Sequence, residues 1–330
     1  MDPQNLTIGI LGAGAWGTAL AQLYASARRK VILWACDPEQ ADIIAREREN
    51  ALRLPGVLLH EGVQATSDLA EAAARADILV LAAPAQATRD LLTKIGPTDT
   101  PLILAAKGIE RDTGVLLPAI AAEICPAAPV AVLSGPSFAG EVARGLPTAV
   151  VLACADPNAG PRLQAVLAAS AFRPYLSTDV MGVALAGALK NVVAIACGVV
   201  AGRDLGESAR AALLTRGLAE MARLAAACGG DPATPMGLAG VGDLVLTASS
   251  LQSRNFSLGY ALGEGHAAAD VLEGRAAVTE GAHAAGAALT LAHRHGVDMP
   301  IAAAVEALIA GRLDVKEAMD ALLARPLRGE

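Results

Sequence analysis

Large rings are almost missing from this chain, which has three Phe, three Tyr and two Trp among 330 residues. A core without them has to be filled by small aliphatic side chains and closely packed helices. The apolar fraction of 54%, much of it Ala, fits that expectation and excludes general disorder. Charge is sparse at 18% and sums to −7. No basic block stands out, so no nucleic acid is expected as a partner. Cysteine is scattered: Cys36, Cys125, Cys154, Cys197 and Cys228 form no C-x-x-C pair, and none has a His at metal-ligand spacing. They read as reduced thiols, mostly buried, and no metal site is expected. His293 and His295 are two apart and fall on different sides of a helix. Residues 2–5 are not hydrophobic, and the apolar run Ile8–Leu11 is broken at once by glycine. No signal peptide is therefore expected, and the location expected is cytoplasmic.

One long apolar stretch needs a membrane test. Between Asp179 and Arg203 the strongly polar side chains are Lys190 and Asn191, and that length could span a bilayer. A lysine in mid-span costs about 2.5–3.5 kcal/mol on insertion, and Gly182, Gly187, Gly198 and Gly202 dilute the hydrophobicity. The stretch reads as a buried helix of a soluble protein with no membrane insertion. A lysine inside such a helix then requires an explanation.

The N-terminal half alternates apolar runs with helical patterns. The strand candidates are Leu6–Leu11, Val31–Trp34, Ile78–Ala83, Leu102–Ala106, Val130–Leu133 and Thr148–Ala153. They are near-continuous, as parallel strands covered on both faces are. Helical patterns cover Ala15–Ala27, Glu39–Glu49, Leu69–Ala74, Ala87–Lys94 and Val115–Ile124. This succession predicts an α/β fold, a Rossmann-like, open, doubly wound sheet. From Asp179 the pattern changes to Ala/Leu/Gly-rich helical segments, with loops at 229–236 and 249–255. Two domains are expected: a dinucleotide-binding domain over 1–178 and an all-helical substrate and catalytic domain over 179–330.

Gly12-Ala13-Gly14-Ala15-Trp16-Gly17 fits the dinucleotide fingerprint, with a strand before it and an apolar helix after it. The first Gly allows the tight turn, the second lets a pyrophosphate approach the backbone, and the third lets helix pack on strand. The helix N-terminus adds free N–H groups and a positive dipole. Asp37 follows the second strand, where an acid bonds the adenosine ribose, although Asp37-Pro38 is also a good helix start.

Ligands in such sheets bind beyond the carboxyl ends of the strands. Lys107 and Gly108 follow one strand candidate there, and the string 134–139 (Ser-Gly-Pro-Ser-Phe-Ala) follows another. Lys107 is either a ligand-binding or a surface lysine, and 134–139 is either a binding loop or a plain turn. In the helical half, Lys190 has Ala186, Gly187, Val193, Ala194 and Cys197 at helical spacing. Small neighbours let a ligand or another backbone approach the ammonium group. A buried lysine can serve as an acid or base near neutral pH. The alternatives are a lysine that snorkels or that pairs with a structural carboxylate. Asp243, after Gly237, Gly240 and Gly242, could pair with Lys190, bond a substrate hydroxyl or cap a helix. Ser253-Arg254-Asn255 offers a planar fork and hydrogen bonds matched to phosphate, or it is an exposed polar turn.

Together with 12–21, 107–110, 134–139, 188–192, 237–244, 253–255 and Glu280-Gly281, the chain resembles the bacterial-type NAD(P)-dependent glycerol-3-phosphate dehydrogenases over nearly its whole length. The resemblance implies interconversion of dihydroxyacetone phosphate and sn-glycerol 3-phosphate by hydride transfer with NAD(H) or NADP(H), supplying the phospholipid backbone. It implies Lys190 as catalytic acid/base. Lys107, Gly135, Ser137, Asp243, Ser253, Arg254 and Asn255 would hold the small phosphorylated substrate. Gly12, Gly14, Ala15, Trp16, Gly17, Cys36, Lys107, Ala139, Arg254 and Glu280 would serve the cofactor. A homodimer is the assembly considered. The chain departs from the pattern at Cys36, where the family often has Arg or His, at Ala184 in place of an acid, and at Ser208 in place of an Asn. The competing readings are a 3-hydroxyacid or 6-phosphogluconate-type dehydrogenase, and a dinucleotide-sensing protein without turnover.

Overall fold

The computed structural model describes residues 6–273 and 279–326; residues 2–5 lie outside them. The chain divides into two compact units. One holds residues 1–107 and 117–183, and the other holds 108–116 and 184–330. The division expected after residue 178 differs from this one, which also counts 108–116 with the helical unit.

The first unit is built on one sheet. Its strands are β1 (Thr7–Leu11), β2 (Lys30–Trp34), β3 (Val63–Thr66), β4 (Ile78–Leu81), β5 (Leu102–Leu104), β6 (Val130–Ser134), β7 (Thr148–Cys154) and β8 (Phe172–Ser177). They lie in the order β3-β2-β1-β4-β5-β6-β7-β8. Every neighbouring pair is parallel except β6 and β7. The intervening helices are α1 (Ala15–Ser26), α2 (Pro38–Glu47), α3 (Leu69–Ala74), α4 (Thr88–Ile95), α5 (Leu117–Ile124), α6 (Ala139–Ala143) and α7 (Ala159–Leu167). Strand order reverses between β1 and β4, the switch point at which doubly wound sheets bind ligands.

Ile8, Ile10, Leu33, Val80, Ile103, Leu133 and Leu152 form the centre of a core to which α1 adds Ala19, Leu20 and Tyr24. Two of the few rings meet in it: Tyr24 and Phe172 stand edge to face, with centroids 6.3 Å apart. The Tyr24 hydroxyl is buried without a partner among the described residues, and burial holds its proton on far into alkali.

The second unit is helical among its described residues. It carries α8 (Val180–Gly202, whose first turn is counted with the sheet unit), α9 (Glu207–Ala227), α10 (Asp243–Thr247), α11 (Arg254–Gly263), α12 (Ala268–Glu273), α13 (Glu280–Arg294), α14 (Pro300–Ile309) and α15 (Val315–Leu323). α8 is long and apolar enough to cross a membrane, and it is almost wholly buried within the protein. Its glycines do specific packing work. A Cβ on Gly198 would lie 2.2 Å from the Phe256 carbonyl oxygen, and one on Gly202 2.1 Å from that of Tyr260. In return, a Cβ on Gly259 or Gly263 of α11 would lie 1.9 or 2.5 Å from the carbonyl oxygen of Ile195 or Val199, respectively. The two helices therefore touch backbone to backbone. The segment 108–116 belongs here as well: Arg111 donates to His283 Nδ1 on α13 at 2.8 Å, and Gly114 abuts Thr290.

β3, β8, α6 and α7 were not expected from the sequence. The stretch read as a loop at 249–255 ends in structure, because α11 starts at Arg254. All five cysteines are free thiols, with Cys125, Cys154 and Cys197 buried.

Candidate active site

The glycine loop joins β1 to α1. Gly12 has φ +122°, and a Cβ there would sit 2.5 Å from the Ala83 nitrogen. Only glycine tolerates that conformation and that approach. Gly17 packs so tightly that its Cβ would lie 2.0 Å from the Gly12 carbonyl oxygen, drawing α1 onto the strand end. Gly14 differs: its Cβ would meet nothing within 4 Å. It is the N-cap residue of α1 and offers no side-chain cap. No side chain caps the first N–H groups of α1, and the helix dipole there favours an anion. Next to them the indole nitrogen of Trp16 is buried and has no partner among the described residues. An open cradle beside an orphaned donor fits the pyrophosphate and adjoining groups of a dinucleotide. Ala15 lies in the same first turn, and Ala139, the first residue of α6, and Trp16 each pack against the core.

At the end of β2, Cys36 is exposed. Asp37 caps α2, its carboxylate accepting the Glu39 N–H at 3.0 Å, so the capping reading holds for that residue. No basic side chain follows until Arg46.

Lys107 and Gly135 come together beyond the ends of β5 and β6. Lys107 Nζ donates to the Gly135 carbonyl at 3.1 Å, and Ser137 Oγ donates to the same oxygen at 3.0 Å. Gly135 has φ +143°, and a Cβ on it would press on the Val150 backbone at 2.9 Å. The string 134–139 is therefore a tightly held turn joined to a half-buried lysine.

In the helical unit, Lys190 does not reach for solvent. Its Nζ donates to Asp243 Oδ1 at 3.0 Å and to Thr247 Oγ1 at 2.7 Å. Lysine and aspartate are 7% and 2% exposed. A charge so buried needs an opposite charge and hydrogen bonds close by, and this pair has both. The glycines before Asp243 form a π-helical turn, Leu238–Gly242, before α10 begins. Gly240 is obligatory in it, since its Cβ would lie 1.9 Å from the Pro235 carbonyl oxygen. Thr247, one helical turn after Asp243, also donates to Oδ1 at 3.3 Å. Sequence reasoning missed Thr247, because a lone Thr in a helix carries no anomaly; the i+4 spacing from Asp243 was the available signal.

Ser253 is the N-cap of α11, its hydroxyl accepting the Phe256 N–H at 3.2 Å. Arg254 is exposed in the first turn. Asn255 is buried and bridges two helices: it donates to Asn191 Oδ1 on α8 at 2.9 Å and accepts the Gly281 N–H at 3.0 Å. Glu280 opens α13 beside it. The bridge holds the residue following Lys190 against the start of α11.

Comparison with known proteins places the chain in a family. The family model for the NAD-dependent glycerol-3-phosphate dehydrogenase N-terminus matches residues 7–160, and that for the C-terminus matches 179–320. The chain is 52% identical over 326 residues to a glycerol-3-phosphate dehydrogenase [NAD(P)+] of Parvibaculum lavamentivorans, covering 98% of each chain. It is equally identical to one of Rhodospirillum rubrum, covering 98% of this chain and 93% of the relative. A crystal structure of glycerol-3-phosphate dehydrogenase from Coxiella burnetii superposes with a TM-score of 0.93 at 38% identity, covering 98% of this chain and 100% of the other. With a Rossmann-like unit and a helical unit each matching its counterpart, this chain belongs to the NAD-dependent glycerol-3-phosphate dehydrogenase family.

Proposed function

We propose that this chain interconverts dihydroxyacetone phosphate and sn-glycerol 3-phosphate, with Lys190 as the catalytic acid/base. The observation that carries the reading is the buried ammonium of Lys190, held by Asp243 and Thr247. In the reducing direction Lys190 gives a proton to the carbonyl oxygen of the substrate. In the other direction it takes the proton from the hydroxyl. Asp243 and Thr247 fix the Nζ position and stabilise its charge, so little reorganisation accompanies proton transfer. When bound, the nicotinamide cofactor supplies or accepts the hydride. Gly12, Gly14, Ala15, Trp16 and Gly17 hold its pyrophosphate side. Cys36, Lys107, Ala139, Arg254 and Glu280 are assigned to it by the resemblance.

The fork of Arg254 is matched to the phosphate, and the resemblance assigns Lys107 to the substrate as well. Gly135 and Ser137 shape the binding turn. Ser253 and Asn255 act by setting the start of α11, which supports a positioning part for both in substrate binding. Binding energy from the phosphate then holds the carbonyl in place. The burial of α8 supports a part inside the protein fold for that helix and not insertion in a membrane, and the resemblance supports a cytoplasmic location, a homodimer and a role in supplying the phospholipid backbone.

The test is oxidation of NADH and NADPH, followed separately, on addition of dihydroxyacetone phosphate. Lys190→Ala, with its fold checked by circular dichroism, is expected to lower turnover by about 10²–10⁴-fold. Near-wild-type turnover in that variant would overturn the assignment. NADH binding with no oxidation by the wild type would favour a sensing protein.

A further inference from the structure

The glycine loop is held from behind by a side chain far from it in sequence. Asn50 is 2% exposed. It follows α2, and its own carbonyl is fixed in a turn by the N–H groups of Arg53 and Leu54 at 3.0 and 2.7 Å. Its Nδ2 donates to the Ala13 carbonyl at 2.9 Å and to Thr18 Oγ1 at 2.8 Å. Its Oδ1 accepts from Gln40 Nε2 at 3.2 Å, and Gln40 Nε2 donates also to the Ala13 carbonyl at 3.1 Å. Two amide side chains therefore converge on one backbone oxygen inside the fingerprint loop.

That oxygen belongs to the peptide linking Ala13 to Gly14. In a planar trans peptide the C=O and N–H point in opposite directions. Drawing the Ala13 oxygen towards Asn50 and Gln40 turns the Gly14 N–H the other way. Among the described residues that N–H donates no hydrogen bond, and the space over Gly14 is open. The loop could relax by rotating this peptide, since a glycine follows it and Gly12 precedes it. The two amides hold it instead, and the Thr18 contact ties the same arrangement to the first turns of α1. Only a carboxamide supplies two donors and one acceptor at once. An aspartate would set an acceptor against the Ala13 oxygen.

We infer that Asn50, with Gln40 behind it, is a positioning residue for the dinucleotide: it presets the Ala13–Gly14 peptide so that the Gly14 N–H is aimed at the pyrophosphate before binding. The inference rests on the assignment of the glycine loop to the cofactor, and its test is separable from that assignment. NADH affinity is measured directly by fluorescence titration, without triose phosphate, for the wild type, Asn50→Asp, Asn50→Ala and Gln40→Met. Thermal unfolding is recorded for each.

The expected result is NADH binding weakened about tenfold in the Asn50 variants and roughly threefold in Gln40→Met. In turnover assays KM for NADH should rise in step, while kcat at saturating NADH and KM for the triose phosphate stay within about twofold. A purely structural role would lower the melting temperature and leave NADH affinity unchanged, and that outcome overturns the inference. Gln40→Met keeps the test decisive where an Asn50 variant does not fold, because Gln40 lies in a partly exposed position; unchanged NADH affinity there also overturns it. A wild type that fails to bind NADH would instead overturn the assignment of the loop.

Discussion

Gly198 and Phe256 meet so closely that a single methyl group on the glycine would lie 2.2 Å from the phenylalanine carbonyl oxygen. Gly198→Ala is therefore expected to push α11 off α8 and to destabilise the protein by about 1–3 kcal/mol, read as a lower melting temperature. Activity should fall as well, because the same contact seats the Asn191–Asn255 bridge. A melting temperature equal to wild type would show that the two backbones yield without loss.

Asp243→Asn removes the carboxylate that faces a buried ammonium. Turnover is expected to drop about 10²-fold or more, and stability to fall by about 3–5 kcal/mol as the Lys190 charge loses its counter-charge. Thr247→Val keeps the ion pair and loses one hydrogen bond, so its effect on kcat should be nearer tenfold. Steady-state kinetics on both variants, with unfolding curves, separate the two contributions. Equal effects would argue against the Asp243 charge as the dominant partner.

Arg254→Ala should raise KM for dihydroxyacetone phosphate by roughly 10–100-fold, the loss of a charge-assisted pair. An unchanged KM would remove Arg254 from the phosphate-binding role.

The proposed cofactor contact at Cys36 makes cofactor choice depend on the end of β2. Asp37 and Glu39 are exposed beside Cys36, and a 2′-phosphate brought near two carboxylates is repelled. NADH is expected to be used with higher kcat/KM than NADPH. Cys36→Arg should shift the ratio towards NADPH by about tenfold, as a guanidinium can pair with the phosphate. Comparison of kcat/KM with the two cofactors checks both statements.

Glu220 gives the protein a pH-dependent stability. It lies buried on α9, accepting the Ile301 and Ala302 N–H groups at the start of α14. Burial pushes its carboxyl up from 4.5 to about 7, against the pull of those hydrogen bonds and of Arg223, with Asp298 raising it further. The folded state thus holds the proton more tightly than the unfolded chain. Its contribution is complete below about pH 4.5 and is lost as pH rises through about 7, a change on the order of 3 kcal/mol. Unfolding free energies of the wild type and Glu220→Gln across pH 5–8 should differ in slope, the variant losing this fall. Parallel curves would mean that Glu220 does not titrate there.

The central strands were readable because burial on both faces leaves an almost unbroken apolar run, as in β1, β2 and β4. β3 and β8 were not. β3 reads Val-Gln-Ala-Thr at a sheet edge, where one side of the strand needs no apolar cover. β8 carries Pro174, which a central strand excludes and an edge strand tolerates. Lys190 was legible as a charge where none belonged, and Asp243 as an acid framed by glycines. Thr247, Gln40 and Asn50 have no such contrast with their surroundings. Their roles come from contacts across long sequence separations, and a single sequence does not display those. Ser253 and Asn255 were legible as a polar string, but their hydrogen bonds to Phe256, Asn191 and Gly281 depend on α11 beginning where it does.

The segment Gly108–Leu116 leaves the sheet unit directly after Lys107 and is counted with the helical unit before the chain returns at Leu117. The polypeptide therefore passes from one unit to the other three times. No single cut can release either half whole: a gene fragment ending at Val183 would still encode a stretch whose Arg111 and Gly114 have lost His283 and Thr290. Swapping one helical half for another by simple end-to-end fusion would leave the same mismatch, so an exchange of helical units has to carry 108–116 with it.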